Sequence, residues 1–346
     1  MTHVVKIGSK IIGGGAPVLV QSMLNTDSHD AAACLAQAKE LENIGCEIIR
    51  LAVPDDDCLK TVSVLKENLS VPVVADIHFS YRLAIESVYA GADKIRINPG
   101  NIGGEENVKA VVKVCKEKNI PIRVGVNSGS LERSLIAKYG GVTPEALAES
   151  ALHSASLIEK FDYDNIVISV KSASVTETVK VNRILSRKTG HPLHIGVTEA
   201  GTIDTGIVKS SIGIGALLLD GIGDTIRVSL TDSPIEEVIA AKRILKAVGM
   251  GKGINVVSCP TCGRTKVDLI NTAKELERLT ENIDKNLTVA VMGCAVNGPG
   301  EAKNADIGIA GGDNEWLLIR KGEIIKKLSA ENALNELIEE IKNMQD

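Results

Sequence analysis

Through its first ~245 residues the chain alternates, eight times over, between a short run of branched apolar residues and a longer amphipathic segment, the pattern of repeated β/α units. The strand-like runs are VLVQSM from Val18, EIIRLAV from Glu47, VPVVADIHF from Val71, KIRINPG from Lys94, PIRVGVNSG from Pro121, IVISVKS from Ile166, PLHIGVTEAG from Pro192 and TIRVSLT from Thr225. Helix signals such as AAACLAQAKELENIG, SYRLAIESVYAGA and ENVKAVVKVCKEKN lie between them and close near Gly or Asn, residues that commonly end helices. Ser233-Pro234-Ile235-Glu236 supplies a capping hydroxyl, a proline at the first helical position and an acid three residues after the cap, so a last helix is predicted to run towards Gly249. Eight parallel strands joined by right-handed crossovers predict a TIM-type (β/α)8 barrel, since an open doubly wound sheet seldom gives so even a count. Composition agrees: 44% of residues are hydrophobic but only 2% aromatic, as suits strands of Val, Ile, Leu and Ala covered by helices.

The pattern breaks at Gly249-Met250-Gly251-Lys252-Gly253. At 346 residues the chain exceeds the ~250 to 300 at which single cores stop growing, so we divide it into a barrel, 1–249, and a small α+β domain, 250–346. In the latter INVVSCP, LTVAVMGCA and ADIGIAGG read as strands, and KVDLINTAKELERLTENI and SAENALNELIEEIKNMQ as helices.

A net charge of −5 gives no general attraction to nucleic acid or to anionic lipid. No segment approaches the ~20 apolar residues of a membrane span, and the N-terminal stretch has no leader-like apolar run, so a cytoplasmic protein is expected. No G-x-G-x-x-G follows a strand; Gly213-Ile214-Gly215 lacks the third glycine, and a dinucleotide cofactor is not indicated.

Strand side chains alternate faces. In the barrel strands one parity is apolar: Ile49 and Leu51, Ala75 and Ile77, Ile95 and Ile97, Val124 and Val126, Val228 and Leu230. The other carries Arg50, Asp76 and His78, then Lys94, Arg96 and Asn98, then Arg123 and Asn127, Ser169 and Lys171, and finally Arg227 and Ser229. The apolar set should face the helices and the polar set the barrel interior, towards the carboxyl ends of the strands where such barrels hold ligands. Glu199 has the parity of Ile195 and Val197, so it reaches the mouth only if its strand has already turned. Arginines and lysines converging on one mouth repel each other unless a multiply charged anion sits among them, and guanidinium groups bind phosphate oxygens in bidentate fashion. A phosphate or diphosphate ligand is expected. The alternative is that individual arginines form structural ion pairs with Asp76, Glu199 or other carboxylates.

Seven cysteines in a cytosolic chain point to metal binding or packing, not to disulfides. Cys34, Cys46, Cys58 and Cys115 fall at apolar positions of barrel helices and read as packing. Cys259-Pro260-Thr261-Cys262 and Cys294 fall in the second domain, where no histidine and no further cysteine follows. A closed four-ligand zinc site of thiolates and imidazole cannot be built there. Three thiolates with an exchangeable fourth position suit a catalytic iron-sulfur cluster with one open iron. Glu301, beyond the Asn297-Gly298-Pro299-Gly300 turn, is the candidate fourth ligand; a zinc site completed by Glu301 or water stays open. His78 either donates to a phosphate or supports Asp76, whereas His191 and His194 read as capping or packing residues.

Ten stretches, VQSM, RLAVP, ADIHF, IRINPGN, RVGVNSGSLE, SVKSAS, GVTEAG, DTIRVSLT, CPTCGR and MGCAVNGPGEA, occur in an order and spacing by which the chain resembles the bacterial 4-hydroxy-3-methylbut-2-enyl diphosphate synthases of the methylerythritol phosphate pathway. The resemblance covers nearly the whole chain. It implies a barrel followed by a cluster domain, with Cys259, Cys262, Cys294 and Glu301 as ligands of a 4Fe-4S cluster and substrate oxygen replacing the glutamate in turnover. It implies that Arg50, Arg96, Arg123, Lys171, Arg227 and Ser229 hold the diphosphate, and that Asp76, Asn127 and Glu199 lie near the reacting carbons. His78 and Asn98, on the same inner parity, are added as substrate-binding candidates, and Glu199 as the candidate proton donor or holder of the neighbouring hydroxyl. The implied substrate is 2-C-methyl-D-erythritol 2,4-cyclodiphosphate, opened and dehydroxylated by two electrons. The donor would be ferredoxin or flavodoxin, and the assembly a homodimer in which the barrel of one subunit meets the cluster domain of the other.

Two other classes compete. A lyase or aldolase would use Lys171 as a Schiff base beside a structural zinc domain. An iron- or redox-sensing protein would have no need of so many phosphate-binding groups.

Overall fold

The eight apolar runs form strands in a computed structural model that describes residues 1–344 apart from 128, 130, 282, 296–299, 301 and 314. The chain divides into two units, Met1–Met250 and Gly251–Asp346. The first begins with an antiparallel hairpin, β1 (Val5–Ile7) and β2 (Lys10–Ile12), turning at Gly8-Ser9. Eight parallel strands follow: β3 (Leu19–Met23), β4 (Ile48–Ala52), β5 (Val73–Asp76), β6 (Lys94–Ile97), β7 (Ile122–Asn127), β8 (Ile166–Lys171), β9 (His194–Ile195) and β10 (Thr225–Ile226). They are ordered β8-β7-β6-β5-β4-β3-β10-β9, and a parallel bridge between Ile168 and Leu193 joins the two ends of that row. The result is a TIM-type barrel.

Helix ends follow local chemistry. The Asp30 carboxylate accepts from the backbone N–H of Ala32 and Ala33 at the start of Ala31–Asn43, satisfying donors that a helix leaves free. Glu105–Lys118 has acids in its first turn, lysines in its last and Asn119 in left-handed conformation after it, which suits both dipole and cap. The helix Pro234–Ala247 starts on the Ser233 hydroxyl, which accepts from Ile235 N–H, and stops before Gly249 at φ +76°.

The two strand parities separate as alternation requires. Ile49, Leu51, Ala75, Ile77, Ile95, Ile97, Val124, Val126 and Val228 join the core between strands and helices, with Cys34, Cys46, Cys58 and Cys115 packed in it. On the inner face, Leu19, Ile48, Val74 and Val167 lie at the amino-terminal ends of their strands and pack with Val5, Ile7 and Ile12 of the hairpin. The hairpin therefore seals that end of the barrel with apolar side chains. Beyond this plug the inner positions turn polar.

The second unit is a five-stranded sheet in chain order: β11 (Asn255–Ser258), β12 (Thr288–Met292), β13 (Ile307–Gly311), β14 (Glu315–Arg320) and β15 (Glu323–Ser329). Its first two pairings are parallel and its last two antiparallel. Helices Leu269–Thr280 and Ala333–Asn343 bury Leu269, Leu276, Leu337 and Ile341 against Val289, Val291, Ile309 and Leu318 on one face. The β14–β15 hairpin is an addition to the elements expected from sequence. Its two-residue turn, Lys321-Gly322, has both φ angles positive, 49° and 86°, the geometry that matches hairpin twist. Among the described residues no helix is long and apolar enough to cross a membrane.

Candidate functional site

The polar residues of the inner parity meet above the apolar plug. Asp76, at the end of β5, is 1% exposed, and its two oxygens are divided between neighbours: Arg50 Nη2 donates to Oδ2 at 2.5 Å and Arg96 Nη1 to Oδ1 at 3.1 Å. His78 Nε2 lies 3.3 Å from Oδ2. Burial pushes this carboxyl up, but Arg50, His78 and Arg96 together outweigh it and hold the group well below the usual carboxylate range. Asp76 is thus an ionised pivot that fixes two guanidinium groups.

Arg123 lies deeper. It extends from β7 towards β3, four strands away in a ring of eight and so on the opposite wall, where its Nη1 donates to Gln21 Oε1 at 3.1 Å. It is 1% exposed, and it spans the floor of the polar chamber instead of standing at the lip. Arg227 is held by Glu237, with Nε 3.3 Å from Oε2 and Nη2 3.4 Å from Oε1. The same carboxylate accepts from Ser22 Oγ and from Leu230 N–H. The ion-pair alternative therefore describes Arg50, Arg96 and Arg227, while Arg123 bonds a neutral amide. Lys171, at the end of β8, and Lys94, at the start of β6, are both buried. Burial first, then the surrounding guanidinium groups, push both amines well below the lysine range. Four guanidinium groups and two buried amines thus share the interior with Asp76 and Glu237.

Two glycines make room for them. A Cβ on Gly125 would lie 2.4 Å from Arg96 Nε, and one on Gly196 would lie 2.2 Å from the Arg227 carbonyl oxygen and 2.9 Å from Lys171 Nζ. Neither glycine, nor Gln21 or Glu237, was singled out from the sequence. Gln21 has the inner parity of β3 and was within reach of that argument. Glu237 comes from a helix, where strand alternation is silent. His194 is buried, its Nδ1 2.8 Å from Thr225 Oγ1; burial and then Lys171 and Arg123 push its imidazole well below the ordinary range, so it is neutral.

The remaining candidates lie nearer solvent. Asn98 is 8% exposed, and its Oδ1 accepts from Gly100 N–H at 3.0 Å. Asn127 ends β7 beside Lys171 in register and is exposed; Ser229, two residues past Arg227, is half-buried; His78 is exposed. Strand β9 stops at Ile195, and Glu199 is exposed with φ +51°, so the turn that its placement required is present. Glu301, Asn297, Gly298 and Pro299 lie outside the described residues.

In the second unit, β11 and β12 run parallel with Ser258 opposite Val291. Cys259 and Cys294 leave the carboxyl ends of these adjacent strands, and Cys262 lies on the turn after β11. Cys259 Sγ accepts from Gly293 N–H at 3.2 Å, and Cys262 N–H donates to Thr265 Oγ1 at 3.1 Å. Hydrogen bonds from the Arg264 backbone and side chain push the exposed Cys262 thiol down, towards the thiolate that binds metal. A Cβ at Gly293 would meet Thr265 at 3.1 Å and Leu269 at 3.2 Å, so this loop lies close against its neighbours. The three sulfurs are not among the described groups that gather within 4.8 Å of one another.

Comparison with known proteins bears on both units. Residues 2–242 match the GcpE TIM-barrel domain and residues 255–343 the GcpE protein C-terminal domain. Similar proteins include one from Caldanaerobacter subterraneus subsp. tengcongensis, 57% identical over 99% of this chain and 97% of its own length, and one from Caldicellulosiruptor saccharolyticus, 56% identical over 99% of each. Both carry the name 4-hydroxy-3-methylbut-2-en-1-yl diphosphate synthase (flavodoxin). Among solved structures, dihydropteroate synthases from Stenotrophomonas maltophilia (TM-score 0.52) and Vibrio fischeri (0.51), each 13% identical, cover 71% of this chain and 98% of their own and share the barrel fold. With both domains matched in order along almost its whole length, the chain belongs to the GcpE family.

Proposed function

We propose that the chain is a reductive 4-hydroxy-3-methylbut-2-enyl diphosphate synthase: it takes 2-C-methyl-D-erythritol 2,4-cyclodiphosphate, two electrons and two protons to 4-hydroxy-3-methylbut-2-enyl diphosphate and water. The observation that carries this reading is the excess of buried cations over carboxylates at the carboxyl ends of the barrel strands, which calls for a polyanion. The name shared by the relatives favours a reductase over the lyase alternative.

In this reading Arg50 and Arg96, held by Asp76, present their remaining N–H groups to one phosphate, and Arg227, held by Glu237, presents its own to the other. Arg123 forms the cationic floor. Lys171, Ser229, His78 and Asn98 complete the donor set. Such prearranged donors lose little freedom on binding. Asp76 acts here as a positioning residue, its oxygens being engaged by arginines, while the exposed Asn127 and Glu199 hold the hydroxyl and proton at the reacting end. Cys259, Cys262 and Cys294, with Glu301 as fourth ligand, would hold a 4Fe-4S cluster. When bound, the cluster supplies the two electrons singly, drawn from reduced flavodoxin. We include a cytoplasmic homodimer in the proposal, so that specific activity falls on dilution below the dimer dissociation constant.

Anaerobic purification followed by iron and sulfide analysis should give about four of each per chain, and reduced flavodoxin should drive turnover of the cyclodiphosphate. Zinc in place of iron and labile sulfide would overturn the proposal.

A further inference from the structure

Lys94 occupies the inner face of β6 two residues before Arg96, one level deeper in the barrel. It is 0% exposed, and its Nζ has no hydrogen-bond partner among the described residues. Neither nearby carboxylate is left for it. Asp76 on β5 is taken by Arg50 and Arg96, and Glu237 by Arg227, Ser22 and the Leu230 backbone. The other titratable groups facing this space are Arg123 on β7, Lys171 on β8 and the neutral His194 on β9, none of them an acid. The nitrogens Gln21 Nε2, Arg50 Nε, Arg123 Nε and His194 Nε2 are also buried without partners. Unsatisfied donors gathered in one chamber are costly to a fold, and an unpaired lysine that a methionine could replace in volume is the costliest of them.

We propose that Lys94 is a further residue of the anion site, a reserve cation beneath Arg123 that takes up a proton when a polyanion enters the chamber above it. The inference rests on the anion-binding part of the proposed function. Without ligand, burial and then Arg123 and Arg50 push the amine well below the lysine range, which favours its uncharged form. A bound dianion offsets those guanidinium groups, and one solvent proton converts the amine to an ammonium ion within the anion's field. Lys171 and His194 are shifted in the same direction, so the contribution of Lys94 is read as a difference between proteins.

The test is calorimetric titration of the full chain at pH 8 and constant ionic strength, with sulfate and separately with the cyclodiphosphate, in two buffers of different ionisation enthalpy. Wild type should take up more protons than Lys94→Met, the difference approaching one per site, and the variant should bind about tenfold more weakly, equivalent to one unit of pKa. The free variant should also unfold at a higher temperature, as expected when an uncompensated buried amine is replaced by an apolar chain. Equal proton uptake by the two proteins overturns the inference even if the cyclodiphosphate is turned over. Lys94-dependent uptake with sulfate but no binding of cyclodiphosphate would uphold it and sink the proposed substrate. Should Lys94→Met fail to fold, Lys94→Gln takes its place in the same comparison, and proton uptake equal to that of wild type again refutes the inference.

Discussion

The barrel chamber and the cysteine loops are built in opposite ways. In the barrel, each cation stands on, or for Arg227 one residue past, a strand whose direction is set by backbone pairing, Arg96 beside Arg123 and Lys94 beside Val74, and Asp76, Gln21 and Glu237 then lock the guanidinium groups. The three cysteines lie on turns beyond β11 and β12, Cys262 exposed and the other two half-buried. One region is organised before its ligand arrives; the other, in the proposed reading, would gain order from the metal it holds, since metal binding and local folding are linked.

The sharpest way to break this contrast is Cys259→Ala. It removes a proposed cluster ligand and the sulfur that receives the Gly293 N–H. The variant should lose its iron and all turnover while the full chain still binds cyclodiphosphate within about threefold of wild type, less than ~0.7 kcal/mol. A variant that kept its iron, or lost substrate affinity as steeply as activity, would show that the regions are not independent.

Asp76→Asn attacks the other side. Removing one partner of a buried ion pair typically costs about 3–5 kcal/mol, and here two arginines lose their counter-charge. Because the folded carboxyl lies well below its unfolded value, its contribution is present above the unfolded pKa of about 4 and is lost as pH falls through the folded value. Denaturant titrations at pH 7 should show the loss, and the gap between wild type and variant should narrow on acidification. A gap constant down to pH 2 would mean that Asp76 is not the ionised pivot described above.

Gly125→Ala tests crowding without changing charge. Its new Cβ would sit 2.4 Å from Arg96 Nε, and the guanidinium must move to accommodate it. Affinity for the cyclodiphosphate should fall about ten- to a hundredfold, or ~1.4–2.8 kcal/mol, with iron content unchanged. Unaltered affinity would show that Arg96 is not fixed by its neighbours.

What the sequence made legible follows from periodicity. Alternation separated Ile49 and Leu51 from Arg50 and set Arg96 beside Ile95 and Ile97, because period two is a geometric property of a strand. It could show neither depth nor partners. Arg123 and Arg227 look alike in sequence, yet one spans the floor to Gln21 and the other leans on Glu237 from a helix ten residues later. Side chains that cross a barrel are chosen by the far wall, which no local pattern records. The β14–β15 hairpin was missed for a different reason. WLLI and EIIKKLS lie around Lys321-Gly322, and lysine at positive φ is a weaker turn signal than Asn-Gly. The proposal that Cys259, Cys262 and Cys294 act as one ligand set came from elimination of other ligands, a property of composition and not of folding.

The smallest predicted effect lies at the rim, where His29 on the loop after β3 bridges to the loop after β4. Its Nδ1 is 2.8 Å from Asp27 Oδ1 and its Nε2 is 2.9 Å from Asp55 Oδ2. His29, Asp55 and Cys58 form a compact group, but burial and then Asp55 push the Cys58 thiol up to about 11, so sulfur stays protonated and the group works as a hydrogen-bonded clasp. Bonds to Asp27 and then Asp55 raise the imidazole to about 9. A raised histidine stabilises fully below its unfolded pKa of about 6.5 and loses that contribution as pH rises through 9. Exposure to solvent keeps the gain small, so it should register locally as faster amide exchange in both loops between pH 7 and 10. His29→Gln should show the faster exchange at every pH. If the His29 ring titrated near 6.5 by NMR, the clasp would have no charge to lose in that range, and exchange in the two loops would depend on pH no more than in the strands beneath them.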